Sequence, residues 1–175
     1  MRTKQLVLTA LFAALTAVGA FLKIQIPVEG IPAITLQFFF TAMAGILLGA
    51  KYSAISQAVY VLLGLVGLPI FTMGGGFSYV LQPSFGFLVG LIPSAWVIGR
   101  LCKNAKSFWP MALGILAGLG VLYLIGTPYM GLILNLYLGK GMSVWQIARA
   151  GCLIYLPGDM LKIAVCAPLC LTLRR

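Results

Sequence analysis

Six long apolar runs, separated only by short connections, constrain this chain more than any other feature. They cover residues 6–26, 34–48, 52–68, 83–98, 111–134 and 144–173. A hydrocarbon core roughly 30 Å thick takes about 20 residues of α-helix to cross, and most of the runs approach that length. Within lipid a backbone must satisfy its own hydrogen bonds, which makes such runs helical. Charged residues make up only 8% of the chain and hydrophobic ones 62%, whereas a soluble domain is about a quarter charged. So little charge cannot cover a water-facing surface. The spacing predicts an all-α integral membrane protein, one domain over residues 1–175 with six transmembrane helices. The first run reads as a retained helix, because no small-residue cleavage site followed by a polar chain comes after it.

The cations then orient the bundle. The net charge of +10 is carried by residues between and beyond the runs, such as Arg2, Lys4, Lys51, Arg100, Lys103, Lys106, Arg174 and Arg175. There is no basic face interleaved with aromatics to follow a phosphate backbone, which argues against a nucleic-acid partner. With both termini cytoplasmic, these cations fall inside, while the outer connections 27–33 and 69–82 contain no Lys or Arg. Lys140 is the exception to this positive-inside arrangement.

Several chemistries are poorly supplied. The chain has no histidine, and Cys102, Cys152, Cys166 and Cys170 form no CxxC pair, so a metal centre is not expected. Cys166 and Cys170 share a helix face and read as packing residues. No G-x-x-x-x-G-K-[ST] loop is present, so any ATP hydrolysis must come from a partner. No catalytic triad or paired carboxylates point to an enzyme, and one intramembrane acid opposite a lysine is a thin basis for an ion-driven transporter.

The outer connection 69–82 combines Gly74, Gly75 and Gly76 with Phe71, Phe77 and Tyr79. Glycines beside large aromatics suit a hinged cover over an outward-facing pocket; an interfacial aromatic belt is the alternative. Glu29, in connection 27–33, reads as solvated. Asp159 does not, because it lies within the last apolar run. Ser143 and Gln146 have capping-box spacing and open that run's helix. Pro157 and Gly158 are expected to kink or unwind its interior. Asp159 and Lys162 are three residues apart and Tyr155 lies four before Asp159, so all three share one face. Fifteen residues separate Asp159 from Arg174, about 22 Å of helix, which places the acid in the outer half of the membrane. Intramembrane charges normally face the bundle interior and mark a substrate path; an internal Asp–Lys ion pair that only satisfies itself is the alternative.

The stretches GIPAITLQ at 30–37, LGAK at 48–51, YVLLGLVGLPIF at 60–71, GGG at 74–76 and LPGDMLK at 156–162 occur in the order seen in the BioY family, and the whole chain resembles it. The most specific parts are G-L-x-G-L-P-x-F and L-P-G-D-x-x-K. The resemblance implies a substrate-binding (S) component of an energy-coupling factor (ECF) transporter in the bacterial cytoplasmic membrane. It implies six helices, biotin bound near the outer surface as substrate with no cofactor, and a complex with one transmembrane coupling protein and two ABC ATPases. Small residues on the first helix would then meet the coupling protein, here Ala10 with Ala14 and Ala13 with Ala17. For biotin, Asp159 is expected to accept from the ureido N–H groups and Lys162 to donate to a ligand oxygen. Gln37, Tyr79, Gln82, Ser84 and Tyr155 are secondary polar candidates, and Phe71 and Phe77 candidate covers for the apolar rings. Where the family reads P-T-G-G-Y, this chain has Pro83, Ser84, Phe85, Gly86 and Phe87, so no polar contact is carried over to Phe85 or Phe87.

Overall fold

The computed structural model describes residues 3–24 and 31–174. Glu29, Arg2, Arg175 and most of connection 27–33 lie outside the described residues. Helix α1 (Thr3–Phe21) leads into a two-stranded antiparallel ribbon, β1 (Lys23–Ile24) with β2 (Ile34–Thr35). Helix α2 (Gln37–Leu65) and a 3-10 turn (Phe77–Leu81) follow. Then come α3 (Phe85–Leu101), α4 (Phe108–Leu132), α5 (Val144–Ala148) and α6 (Leu156–Leu173). Among the described residues, five helical segments are long and apolar enough to cross a membrane, the last spanning Val144–Leu173.

Helix α2 is not straight. Gly49 has φ 76° and ψ 171°, outside helical geometry and in a region open to glycine but not to other residues. The consequence is visible in two side-chain bonds. Thr41 Oγ1 donates to Gln57 Oε1 at 3.1 Å, and Gln37 Nε2 donates to Tyr60 Oη at 2.7 Å. In a straight helix those pairs would stand about 24 and 35 Å apart. The chain therefore reverses at Gly49, and the runs 34–48 and 52–68 become antiparallel arms of one hairpin.

The helices are apolar on both faces, as expected where lipid replaces water. On α4, Ile115, Leu119 and Leu122 are buried while Leu113, Leu116 and Leu124 are exposed. The main core joins Phe12 of α1, Ile46 and Tyr60 of α2, Ile98 of α3, Leu119 of α4 and Ile163 of α6. Through it runs a buried polar chain in which Gln57 Nε2 donates to Thr16 Oγ1 at 3.2 Å, tying α1 to both arms of α2. Cys166 and Cys170 are buried on one face of α6 with sulfurs 3.9 Å apart.

The last run departs from expectation in where it breaks. Ser143 and Gln146 make both bonds of the capping box, at 3.3 and 2.8 Å, and open α5. The helix then widens into a π-turn over Arg149–Leu153, with Ile154 N–H bonding to Arg149 O at 3.2 Å. A new helix starts at Leu156, so Pro157 sits in the first turn of α6 rather than in a helix interior. Proline is well suited to that position, where its missing N–H has no intrahelical partner to lose.

Candidate functional site

The break before α6 sets up the site. It places Asp159 in the first turn of α6, where the helix dipole favours a carboxylate. Asp159 is 4% exposed and both its oxygens are engaged. Oδ1 accepts from Lys162 Nζ at 2.7 Å, one turn along the same helix, and Oδ2 accepts from the hydroxyl of Tyr123 on α4. A buried carboxylate needs such partners, since an unpaired charge in low dielectric costs several kcal/mol.

This pair borders a cavity between the helices. Phe38, Phe87, Leu88, Leu91 and Leu122 supply apolar wall, while Thr35, Gln37, Thr72, Tyr79, Ser84 and Tyr155 supply neutral polar groups. Several of these are held by their own bonds. Thr35 Oγ1 donates to Gln37 Oε1 at 3.0 Å, and Gln37 reaches Tyr60. Tyr79 Oη meets Thr72 Oγ1 at 2.8 Å and accepts from Ser84 Oγ at 3.2 Å. Tyr155 Oη donates to Pro32 O at 2.5 Å, fastening the α1–α2 connection beside the cavity. Lys23 Nζ donates to Thr72 O and ties that connection's ribbon to the 69–82 loop. An apolar lining with a few oriented polar groups is that of a small-molecule site.

The structure brings together Asp159, Lys162, Gln37, Tyr79, Ser84 and Tyr155 around the cavity. It leaves Gln82, Phe71 and Phe77 out of the lining. Phe71 is 1% exposed and turns into the core, its ring 5.5 Å from that of Tyr60 and 4.7 Å from that of Tyr79. Phe77 is 79% exposed at the start of the 3-10 turn. Gln82 caps the end of that turn by donating its backbone N–H to Tyr79 O at 2.9 Å. Phe71 thus anchors the loop that carries Thr72 and Tyr79 from outside the cavity lining.

Sequence reasoning missed Tyr123, Thr35 and Thr72. Tyr123 had a usable signal: a hydroxyl amid the apolar run 111–134 must find a partner, and a lone intramembrane carboxylate is an obvious acceptor. Thr35 and Thr72 carry no such signal, because threonine in a short connection is ordinary. Phe87 forms apolar wall and its ring stands 6.4 Å from that of Tyr155. Phe85 is buried against Tyr129 at 5.9 Å.

On α1 the two alanine stripes separate. Ala10 and Ala14 face outward, together with Leu6, Val7, Leu11 and Val18. Ala13, 5% exposed, lies in the core, and Ala17 is half-buried against it. The 3.6-residue period turns Ala13 about 60° and more from the Ala10–Ala14 face, into the core cluster.

A multi-pass helical membrane protein enclosing a small-molecule cavity with a buried ion pair is the class that this fold and site define. Over residues 1–175 the chain matches the model of the BioY family. It is 46% identical over 151 residues to a probable biotin transporter BioY of Lysinibacillus sphaericus, covering 85% of this chain and 76% of that protein. It is 38% identical over 174 residues to the biotin transporter BioY of Thermotoga maritima, covering 98% and 96%. Its fold is similar to the crystal structure, at 2.1 Å, of the S-component for biotin from an ECF-type ABC transporter. The TM-score is 0.85, with 27% identity, over 99% of this chain and 92% of that one. The chain belongs to the BioY family.

Proposed function

We propose that this protein captures biotin in the cavity beside Asp159 and Lys162 and delivers it across the membrane as the substrate-binding subunit of an ECF-type importer. The observation that carries the reading is the buried Asp159–Lys162 pair bordering a cavity otherwise walled by apolar groups and bond-anchored hydroxyls. Biotin offers two ureido N–H donors and a carbonyl, a thioether ring and a carboxylate tail. Asp159 keeps lone pairs on both oxygens to accept from the N–H groups. Lys162 has ammonium protons left to donate to a ligand oxygen. The aromatic and leucine walls suit the ring and the methylene chain, and Gln37, Tyr79, Ser84 and Tyr155 offer further hydrogen bonds.

In the membrane the two arms of α2 count separately, giving six crossings with both termini inside. That arrangement follows the cations and puts the cavity on the outer side. Transport then draws on a transmembrane coupling protein and two ATPases, with the Ala10–Ala14 face of α1 as the close-packing surface for the coupling protein.

Equilibrium biotin binding to the purified chain tests the site, with Asp159→Asn and Lys162→Ala beside the parent. Each variant removes a charged hydrogen-bonding partner of the ligand, a contact of about 1.5–3 kcal/mol, so at least about tenfold weaker binding is expected of each. A folded Asp159→Asn protein that binds biotin as tightly as the parent overturns the assignment.

A further inference from the structure

The end of the bundle opposite the cavity holds a second, open cleft lined by Lys103, Asn104, Ala105, Lys106, Leu171 and Arg174. Three of its six lining residues are cations. Among the described residues the only carboxylate is Asp159, which is fifteen residues from Arg174 along α6 and already paired with Lys162. The cleft therefore has a positive lining without a described counter-ion.

Helix geometry alone would argue against an anion here, because α3 ends at this point and helix C-termini carry negative partial charge. Arg174 removes that objection. Its Nη1 donates to Cys102 O at 2.7 Å and to Ala105 O at 3.5 Å, and its Nη2 to Ile46 O at 2.6 Å. The carbonyls that would repel an anion are thus occupied by a guanidinium, leaving the exposed Lys103 and Lys106 free to face solvent or ligand. Around them, exposed Leu101, Leu173 and Trp109 mark lipid contact and its boundary with water. A cationic cleft at that level, with Leu171 on its wall, matches a phosphodiester headgroup whose acyl chains run down the apolar helices.

We infer that the Lys103–Lys106–Arg174 cleft is a binding site for an anionic phospholipid headgroup. The competing account is that these lysines are a solvated positive-inside charge like any other. Lys4, exposed at the first turn of α1 and outside the cleft, separates the two accounts.

The test is native mass spectrometry of the full chain in neutral detergent, titrated with phosphatidylglycerol or with phosphatidylcholine of the same acyl chains. The parent is expected to retain phosphatidylglycerol in preference. Neutralising both lysines (Lys103→Gln with Lys106→Gln) should weaken retention about thirtyfold, roughly fivefold per cation. Lys103→Arg with Lys106→Arg should keep it, and Lys4→Gln should leave it unchanged. Phosphatidylglycerol should also raise the unfolding temperature of the parent but not of the double Gln variant. Equal retention of the two lipids by the parent overturns the proposal, as does a loss in Lys4→Gln matching that of the double Gln variant. Displacement of the lipid by millimolar inorganic phosphate assigns the cleft to small anions and overturns the lipid reading.

Discussion

Replacing Gly64 by alanine probes how the loop bordering the cavity is held. A Cβ at that position would stand 2.1 Å from Cζ of Phe71 and 2.3 and 2.6 Å from its Cε atoms. Carbon atoms settle about 3.5–4.0 Å apart, so the ring must retreat by roughly 1.5 Å. It has no free room, being confined by the rings of Tyr60 and Tyr79. Overpacking of this kind costs about 1–3 kcal/mol. In a Phe71→Ala background the clash disappears, and alanine in a helix is favoured over glycine by up to about 1 kcal/mol. Gly64→Ala is therefore expected to destabilise the parent and to be neutral or stabilising once Phe71 is gone. The sign reversal corresponds to a coupling of about 1–4 kcal/mol between the two positions. Thermal unfolding in detergent reads it at about 2–4 °C per kcal/mol for a chain of this size. Because Phe71 carries Thr72 and Tyr79 with it, the single variant should also bind biotin less tightly. Equal effects of Gly64→Ala in both backgrounds would refute the reasoning.

Two further perturbations address single bonds. Tyr123→Phe removes the hydroxyl that donates to Asp159 Oδ2 while keeping the Lys162 pair; a hydrogen bond to a charged group contributes about 1.5–3 kcal/mol to stability, so thermal unfolding should show a loss of that order, and biotin affinity should fall in an equilibrium titration. Unchanged affinity would remove Tyr123 from the site. Arg174→Ala frees the carbonyls of Ile46 and Cys102, and thermal unfolding should show a loss of about 2–4 kcal/mol. Lysine should restore only part of it, since a single ammonium lacks the planar fork that reaches two helix ends; full rescue by lysine would contradict the bidentate role.

Much of the site was legible because the lipid setting makes charge informative. With one carboxylate inside an apolar run, Asp159 had to be partnered, and helix periodicity alone brings Lys162 and Tyr155 to its face. The structure joins all three at one cavity. The aromatic loop was harder. Composition marks Phe71 and Phe77 alike as large groups in a glycine-rich connection, yet one is buried and the other exposed. What separates them is the notch left by Gly64 on the facing helix, a contact between residues whose fit no local pattern encodes. The alanine stripes behaved in the same way, since which of two small-residue faces turns inward depends on where α2 lies.

The sequence by itself determined that the chain is a helical membrane protein, where its apolar runs begin and end, and which charged residues stand apart inside an apolar run, because hydropathy and isolated charge are local properties. Only the tertiary structure decided that the reversal between runs 34–48 and 52–68 is made at Gly49 and that the last helix restarts at Leu156. It also decided that Tyr123 on α4 and Thr72 in a loop reach the same cavity. Those outcomes depend on distances between segments far apart in the chain, and such distances exist only once the helices have packed.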